Sequence, residues 1–271
     1  MELKAQAKVN LGLNVRFQRP DGYHELDGVM ARLALHDTLT LTPQPEGITL
    51  AVVGAELAAD ASNLAYRAAQ TYLTAIGESR GVHLHLTKRI PIAAGLGGGS
   101  SDAAAVLRGL SRLYPAEVNL MGLAATLGAD VPFFVANLPA ARAQGIGEQL
   151  APLKLPALHL VLVNPGIAVS AKEAYASVRA LAPTVDIPDL LASLAAEPSY
   201  QNSLQAGVVA AYPLIAEGLA ALRLQGLRGV LLSGSGATCF GLAHSAAHAQ
   251  AVAERLSARY PRWWVCATYS C

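Results

Sequence analysis

Charge is scarce in this chain, and so are aromatic side chains and cysteine. Charged residues make up 14% of the 271 positions and aromatics 6%, against 53% that are apolar. The 20 basic and 19 acidic residues leave a net charge of +1, and no lysine- or arginine-rich block is present. A nucleic-acid partner is not expected, because that footprint needs many clustered cations against phosphate. Cys239, Cys266 and Cys271 are odd in number and lack metal-type spacing. They read as small buried thiols in a reducing compartment. Long apolar runs are missing too: Ala206–Ala216 is too short to span a bilayer and contains Pro213. The mean hydropathy of +0.35 reflects alanine and leucine instead. Met1-Glu2-Leu3-Lys4 leads into a strand-like pattern rather than a signal peptide. The expectation is a cytoplasmic protein with no membrane partner; nothing in the sequence fixes an oligomeric state.

Apolar material is plentiful, enough for two cores at this length. Val9, Leu11, Leu13 and Val15 alternate with Lys8, Asn10, Gly12 and Asn14, which predicts a strand with one buried face. Arg19-Pro20-Asp21-Gly22 is a turn. Val29–Leu35, Leu39–Thr42 and Ile48–Val53 read as strands, the first two separated by His36-Asp37. Ser62–Ile76 has a helical stripe, with Gly77 at the left-handed position beyond its end. Val82–Thr87 alternates, placing His83 and His85 outward as a solvated pair or, alternatively, two ligands of a metal site. Asp102–Leu113 and Leu120–Leu127 read as helices, the latter between Asn119 as N-cap and Gly128.

Gly145-Ile146-Gly147-Glu148 and the prolines at 152 and 156 mark the expected boundary between domains 1–150 and 151–271. Leu158–Val163 reads as a strand and Lys172–Ala182 as a helix. Further helices are expected around Leu190–Ala196 and Ser203–Gln225. Val230–Ser233 and Thr238–Leu242 are strands, Ala246–Tyr260 a helix and Trp263–Thr268 a last strand. With the extra helices set aside, that order is βαββαβ, a ferredoxin-like split βαβ domain.

Between the first and second predicted helices, running into the second, lies PIAAGLGGGSSDAAAV. Gly95, Gly97, Gly98 and Gly99 strip the chain of side chains where a helix begins. Free N–H groups and the helix dipole attract phosphate there, and glycines let a polyphosphate reach the backbone. Ser100 or Ser101 adds a hydroxyl for phosphate or Mg²⁺. A flexible linker is the bland alternative. The P-loop pattern fails because no lysine follows the glycines, and the protein-kinase loop fails without H-R-D or D-F-G. A dinucleotide fingerprint meets Ser100 where its last glycine belongs, which leaves a nicotinamide oxidoreductase the weaker enzyme reading. A second knot, Ser233-Gly234-Ser235-Gly236-Ala237-Thr238, is a hairpin with more glycine than a hairpin needs, suggesting close approach by a ligand or another backbone.

Lys8-Val9-Asn10-Leu11, the glycine loop and Ser233–Thr238, in that order, resemble the GHMP kinase superfamily of small-molecule kinases. Arg19-Pro20-Asp21-Gly22-Tyr23-His24-Glu25-Leu26 and Leu127-Gly128-Ala129-Asp130-Val131-Pro132-Phe133-Phe134 narrow the resemblance. So do Gly145–Glu148 and Asn164-Pro165-Gly166. They are similar to the branch whose acceptor is a cytidine-diphosphate-linked methylerythritol of non-mevalonate isoprenoid synthesis.

The fold this implies is α+β in two domains, an N-terminal α/β domain with a left-handed βαβ crossover and a C-terminal ferredoxin-like domain. The implied reaction is ATP-dependent phosphorylation of the acceptor's 2-hydroxyl, with Mg²⁺ carried by ATP and no protein metal cage. The resemblance makes Asp130 the base and Lys8 its electrostatic partner, against the alternatives of a helix N-cap and a solvated lysine. It places Pro91, Ala93, Ala94, Gly95, Leu96, Gly97, Gly98, Gly99, Ser100, Ser101, Lys88 and Asn63 on the ATP side. Lys88 and Asn63 read equally as a surface strand end and a helix start. It places Asn10, Tyr23, His24, Tyr175, Gly234 and Ser235 on the acceptor side, with Tyr23 stacking on cytosine, His24 bonding its edge and Tyr175 on the other face. Tyr175 and Val178 also share a helical spacing that suits a core. Ala171 departs from the family, which tends to have threonine there; Ser170 is adjacent. Asp102 reads as a dipole-favoured acid in a first turn, with a metal-side role the alternative. Kinases with homoserine or mevalonate acceptors, and an RNA-binding module, are the rival functions.

Overall fold

The computed structural model describes residues 1–178 and 181–271. Its first elements are β1 (Glu2–Gln18), β2 (His24–Gln44), β3 (Ile48–Val53), α1 (Leu64–Ile76), β4 (Gly81–Thr87), α2 (Gly98–Leu113), α3 (Leu120–Leu127) and α4 (Val131–Val135). Then come β5 (Ala140–Gly145), β6 (Gln149–Pro152), β7 (His159–Asn164), α5 (Ala171–Ala176), α6 (Ile187–Ser193) and α7 (Gln205–Ala211). The chain ends with α8 (Pro213–Leu224), β8 (Arg228–Leu232), β9 (Cys239–Ala243), α9 (Ala246–Arg259) and β10 (Trp264–Tyr269). Two compact units interleave along it. One holds Met1–Ala7, Leu35–Ile92 and Gly97–Leu138; the other holds Lys8–Ala34, Ala93–Leu96 and Pro139–Cys271.

In the first unit, Thr38–Gln44 of β2 pairs antiparallel with β4, and β3 lies parallel on the other edge of β4. Parallel neighbours need a crossover, and α1 supplies it. Gly77 leaves α1 at φ 63°, as the sequence predicts, and Asn63, expected on the nucleotide side or at a helix start, caps the helix, which begins at Leu64, two residues after the expected start at Ser62. Ala65, Ala68, Ala69, Tyr72 and Leu73 form its buried face. The small residues there let α1 and α2 pack closely, and the Tyr72 hydroxyl donates to the Tyr114 carbonyl at 2.8 Å. Along β4, Val82, Leu84 and Leu86 are buried and His85 is exposed. His83 Nδ1 is hydrogen-bonded to Thr49 Oγ1 at 2.8 Å. Among the described residues no group of three or more His, Cys, Asp or Glu is placed to hold a metal. Helix α3 runs as predicted from Asn119 to Gly128.

In the second unit, the first half of β2 pairs with β5, and β5 with β6. The stretch Gly145–Glu148, expected as a boundary, is the turn of that hairpin. The other sheet has strand order β10-β7-β9-β8, antiparallel throughout. Helices α5–α8 make its first crossover and α9 its second, the predicted βαββαβ arrangement. Val161, Val163, Ile215, Leu219, Leu232, Val252 and Leu256 fill its core.

Several local expectations are corrected. Strand β2 is continuous through His36-Asp37, because Asp37 satisfies its carboxylate inside the fold. Residues 7–15 of β1 are buried on both faces. Segments of the same unit cover its outer edge: Leu13 N donates to the Gln201 carbonyl and Ala182 N to the Val15 carbonyl. The helix expected over Ser203–Gln225 is two helices bent by 117°, since Pro213 cannot continue α7 but suits the first turn of α8. Helix α5 stops at Ala176; the expected continuation over 179–180 lies outside the described residues. Helix α2 starts four residues early, inside the glycine run, and α4, β5 and β6 were not expected. Cys239 is buried, but Cys271 is exposed and Cys266 half-buried. No single helix among the described residues is long and apolar enough to cross a membrane.

Candidate active site

The glycine loop alternates in hand. Ala93, Gly95 and Gly97 have φ of 50°, 73° and 69°, and α2 begins at Gly98 with Gly97 as its N-cap. Each glycine is there for its own reason. A Cβ on Gly95 would lie 2.0 Å from the Ser233 carbonyl oxygen, so only glycine allows that close approach. The contact belongs to the second unit, where Ser233 Oγ donates to the Gly95 carbonyl at 2.9 Å and Thr238 N to the Ala94 carbonyl at 3.2 Å. In Ser233–Thr238, a Cβ on Gly234 would lie 3.2 Å from Asn10 Oδ1 and 3.3 Å from the Gly95 carbonyl oxygen, whereas one on Gly236 would meet the Leu232 side chain at 2.9 Å. Gly97 needs its left-handed φ. A Cβ on Gly98 would meet Ile90 Cγ2 at 3.1 Å and Lys88 Nζ at 3.3 Å. Gly99 differs. It is exposed, and its Cβ would make only an ordinary contact of 3.5 Å with Leu64 Cδ1.

The first intrahelical bond of α2 runs from Ser101 N to the Gly97 carbonyl. The N–H groups of Gly98, Gly99 and Ser100 therefore have no acceptor within the helix. Ser101 is buried and Ser100 half-buried, so Ser100 has the more accessible hydroxyl. Ala94 and Leu96 are buried, and the Leu96 carbonyl accepts from Lys8 N at 2.9 Å. Pro91 is half-buried and Ala93 exposed. Asn63 uses both ends of its amide, accepting from Ala65 N and donating to the Ala58 carbonyl, each at 3.0 Å.

Lys88 is not a surface residue. Its side chain is 4% exposed and its ammonium is bonded to Asp37 Oδ2 and, at 2.7 Å, to Asp102 Oδ2. Asp37 Oδ1 also accepts from Arg89 N and Ile90 N. Asp102 lies beyond the first turn of α2 and is buried, which corrects its reading as a dipole-favoured acid in that turn. Burial raises its carboxyl to about 7; Lys88 opposes that shift and Asp37 adds to it. Burial lowers the Lys88 ammonium, but Asp102 and Asp37 outweigh it, and the net direction is upward.

Asp130, in the first unit, is half-buried at the N-cap position of α4 and makes no side-chain capping bond. The capping alternative is not realised. In the second unit Lys8 is 5% exposed, not solvated, and its Nζ donates to Asn10 Oδ1 at 2.6 Å. Asn10 N donates to Ser233 Oγ at 3.3 Å. Gly234 has φ 55°, and its carbonyl and that of Leu232 accept from Asn202 Nδ2. Ser235 next to it is half-buried. Tyr23 leaves the Arg19–Gly22 turn 60% exposed. The His24 ring stacks on Tyr175, with centroids 5.4 Å apart and planes 19° from parallel. Tyr175 also packs against the core of the second unit. Ser170 stands before α5 without a capping bond, and Ala171 begins that helix.

Family models named GHMP kinases N terminal domain and GHMP kinases C terminal match residues 63–137 and 186–262. The chain is 51% identical to a Deinococcus radiodurans protein named 4-diphosphocytidyl-2-C-methyl-D-erythritol kinase, over 97% of this chain and 91% of that one. A Thermus thermophilus protein of the same name is 48% identical, over 97% and 95%. The chain belongs to the 4-diphosphocytidyl-2-C-methyl-D-erythritol kinase family of GHMP kinases. A crystal structure of a 4-(cytidine 5'-diphospho)-2C-methyl-D-erythritol kinase superposes with TM-score 0.91 at 47% identity, covering 100% of both chains. Methanococcus jannaschii mevalonate kinase shares the fold alone, with TM-score 0.70 at 12% identity. The architecture is the two-domain GHMP kinase fold.

Within this GHMP kinase, sequence reasoning missed Asp37. Its signal was the strand phase: Leu33, Asp37, Leu39 and Leu41 all fall on one face of β2, and all four are buried. A carboxylate in phase with leucines calls for a buried partner. Asn202, which clamps the Leu232–Gly234 backbone, gave no comparable signal.

Proposed function

We propose that this kinase transfers the γ-phosphoryl group of ATP to the 2-hydroxyl of 4-diphosphocytidyl-2-C-methyl-D-erythritol, as a cytoplasmic enzyme of non-mevalonate isoprenoid synthesis. The observation that carries the acceptor assignment is the exposed Tyr23 beside the His24–Tyr175 stack. Homoserine and mevalonate carry no base for aromatic rings to cover. Stacking is worth about 1–3 kcal/mol per base, and hydrogen bonds from groups such as His24 set its identity. The relatives' shared name supports the same reading.

The start of α2 fits a triphosphate. Three N–H groups lack helical acceptors there, and exposed Gly99 has open space on one side. Mg²⁺ would be held by phosphate oxygens with the Ser100 hydroxyl as the protein donor, and would supply charge neutralisation; Asp102 is turned inward onto Lys88. In this reading Asp130 takes the proton from the acceptor hydroxyl, and Lys8, oriented by Asn10, offsets negative charge on that oxygen. The catalysis asked of the protein is mainly positioning and charge stabilisation, as phosphoryl transfer requires. Residues 1–150 contribute the nucleotide loop and both reactive groups, and 151–271 add Tyr175.

Purified protein with ATP-Mg and the cytidyl acceptor should consume ATP stoichiometrically with product. Parallel reactions with homoserine and mevalonate should give no turnover. Turnover of either, with none of the cytidyl acceptor, rejects the assignment.

A further inference from the structure

Lys88 is a cation beside the first turn of α2 that a phosphate-binding reading would recruit, yet its ammonium is paired with two carboxylates. Its ammonium lies between two buried carboxylates, so the cluster's formal charge with all groups ionised is one positive against two negative. Such a group adds no net positive field for an anion. Its geometry serves another purpose. In a helix the Cα–Cβ bond leans toward the N-terminus, and residues four apart share a face. Asp102 therefore reaches back beneath Gly98, where the Lys88 ammonium lies 3.3 Å from the position a Cβ would occupy. Lys88 in turn is held by Asp37, which also binds the backbone N–H groups of Arg89 and Ile90.

We infer that Asp102 and Lys88 are positioning residues for the nucleotide. Their bridge fixes the first turn of α2 against the end of β4 and against Asp37 of β2, so that the N–H groups of Gly98, Gly99 and Ser100 are aimed before the phosphates arrive. Gly98 is glycine because the Ile90 side chain and the Lys88 ammonium crowd its side-chain space, not because a ligand does. This rests on the nucleotide-binding reading above and adds residues that act through the loop without touching ATP. A site held by a buried supporting shell loses affinity when that shell is loosened, even though no ligand contact is removed.

Asp102→Asn tests it. The substitution is nearly isosteric and leaves a balanced Lys88–Asp37 pair, so folding is expected to survive. Affinity for Mg-ADP by titration calorimetry should weaken, and KM for ATP should rise, by about ten-fold, with kcat within about two-fold and the acceptor KM unchanged. Tyr72→Phe, which deletes a buried hydrogen bond of the same unit away from the bridge, should lower thermal stability and leave the Mg-ADP affinity alone. If Asp102→Asn yields no folded protein, Gly98→Ala keeps all three charges while pushing the turn off the ammonium, and must raise the ATP KM in the same way. Unchanged Mg-ADP affinity in a folded Asp102→Asn or Gly98→Ala protein overturns the inference and leaves the nucleotide reading standing. So does equal weakening in Tyr72→Phe. Wild-type protein that binds no Mg-ADP overturns both.

Discussion

Gly95 and Gly99, four residues apart in one loop, should respond to the same substitution in opposite ways. Alanine at 95 meets a carbonyl oxygen 2.0 Å away and must hold φ near 73°, a left-handed conformation that costs about 1–2 kcal/mol even without a clash. Gly95→Ala should be poorly folded by circular dichroism. Alanine at 99 meets only a flexible leucine at 3.5 Å and should raise stability by about 0.5–1 kcal/mol in a urea melt. Its methyl would occupy the open side of the helix entry, so the ATP KM should rise although the protein is more stable. Asp130→Asn should lower kcat by roughly 10²–10⁴-fold with an unchanged melting curve; near-normal turnover would remove Asp130 as the base. Asp102 gives a pH signature. Its folded value, about 7, lies above its ordinary 3.8, so the folded state binds the extra proton. The stability this contributes is complete below about pH 4, falls as pH rises through 7 and is absent above. Melting temperatures of wild type relative to Asp102→Asn should decline across that window and then level off.

Helix ends were the most legible elements. Gly77, Asn119 and Gly128 were readable because helix ends are local, set by one or two residues, while the expected start at Ser62 fell one residue before the Asn63 cap. Asn63→Ala should destabilise the protein by about 1 kcal/mol in chemical denaturation, through loss of the bond to Ala65 N. What is non-local was misread. His36-Asp37 looked like a strand break because an aspartate dislikes strands; only Lys88 and two N–H groups, distant in sequence, make it welcome in β2. The second face of β1 was expected in water because the residues that cover its edge come some 170 to 190 positions later. The bend at Pro213 is legible in the sequence, because proline disfavours the helical conformation of the residue before it and ends the helix there.

At the scale of the whole molecule, the class of fold was readable from the order of its motifs, and the βαββαβ sheet from periodicity. For the candidate site the sequence offers a list of residues but no geometry. No spacing rule says that Lys88 is buried between carboxylates or that His24 lies on Tyr175. The near-neutral charge predicts that association with substrate owes little to long-range steering. Accordingly KM values should change only modestly between about 50 and 200 mM salt, unlike an RNA binder, whose affinity falls steeply over that range. CDP should compete with the acceptor in the same assay, since it carries the base and the diphosphate without the hydroxyl.

The interleaving of the two units sets an order of events during synthesis. Every residue of the first unit has been made once Leu138 is joined, whereas Lys8–Ala34 belong with a unit that extends to Cys271. Residues 13–15 of β1 should therefore wait for the segments around 182 and 201–203 before their edge is covered.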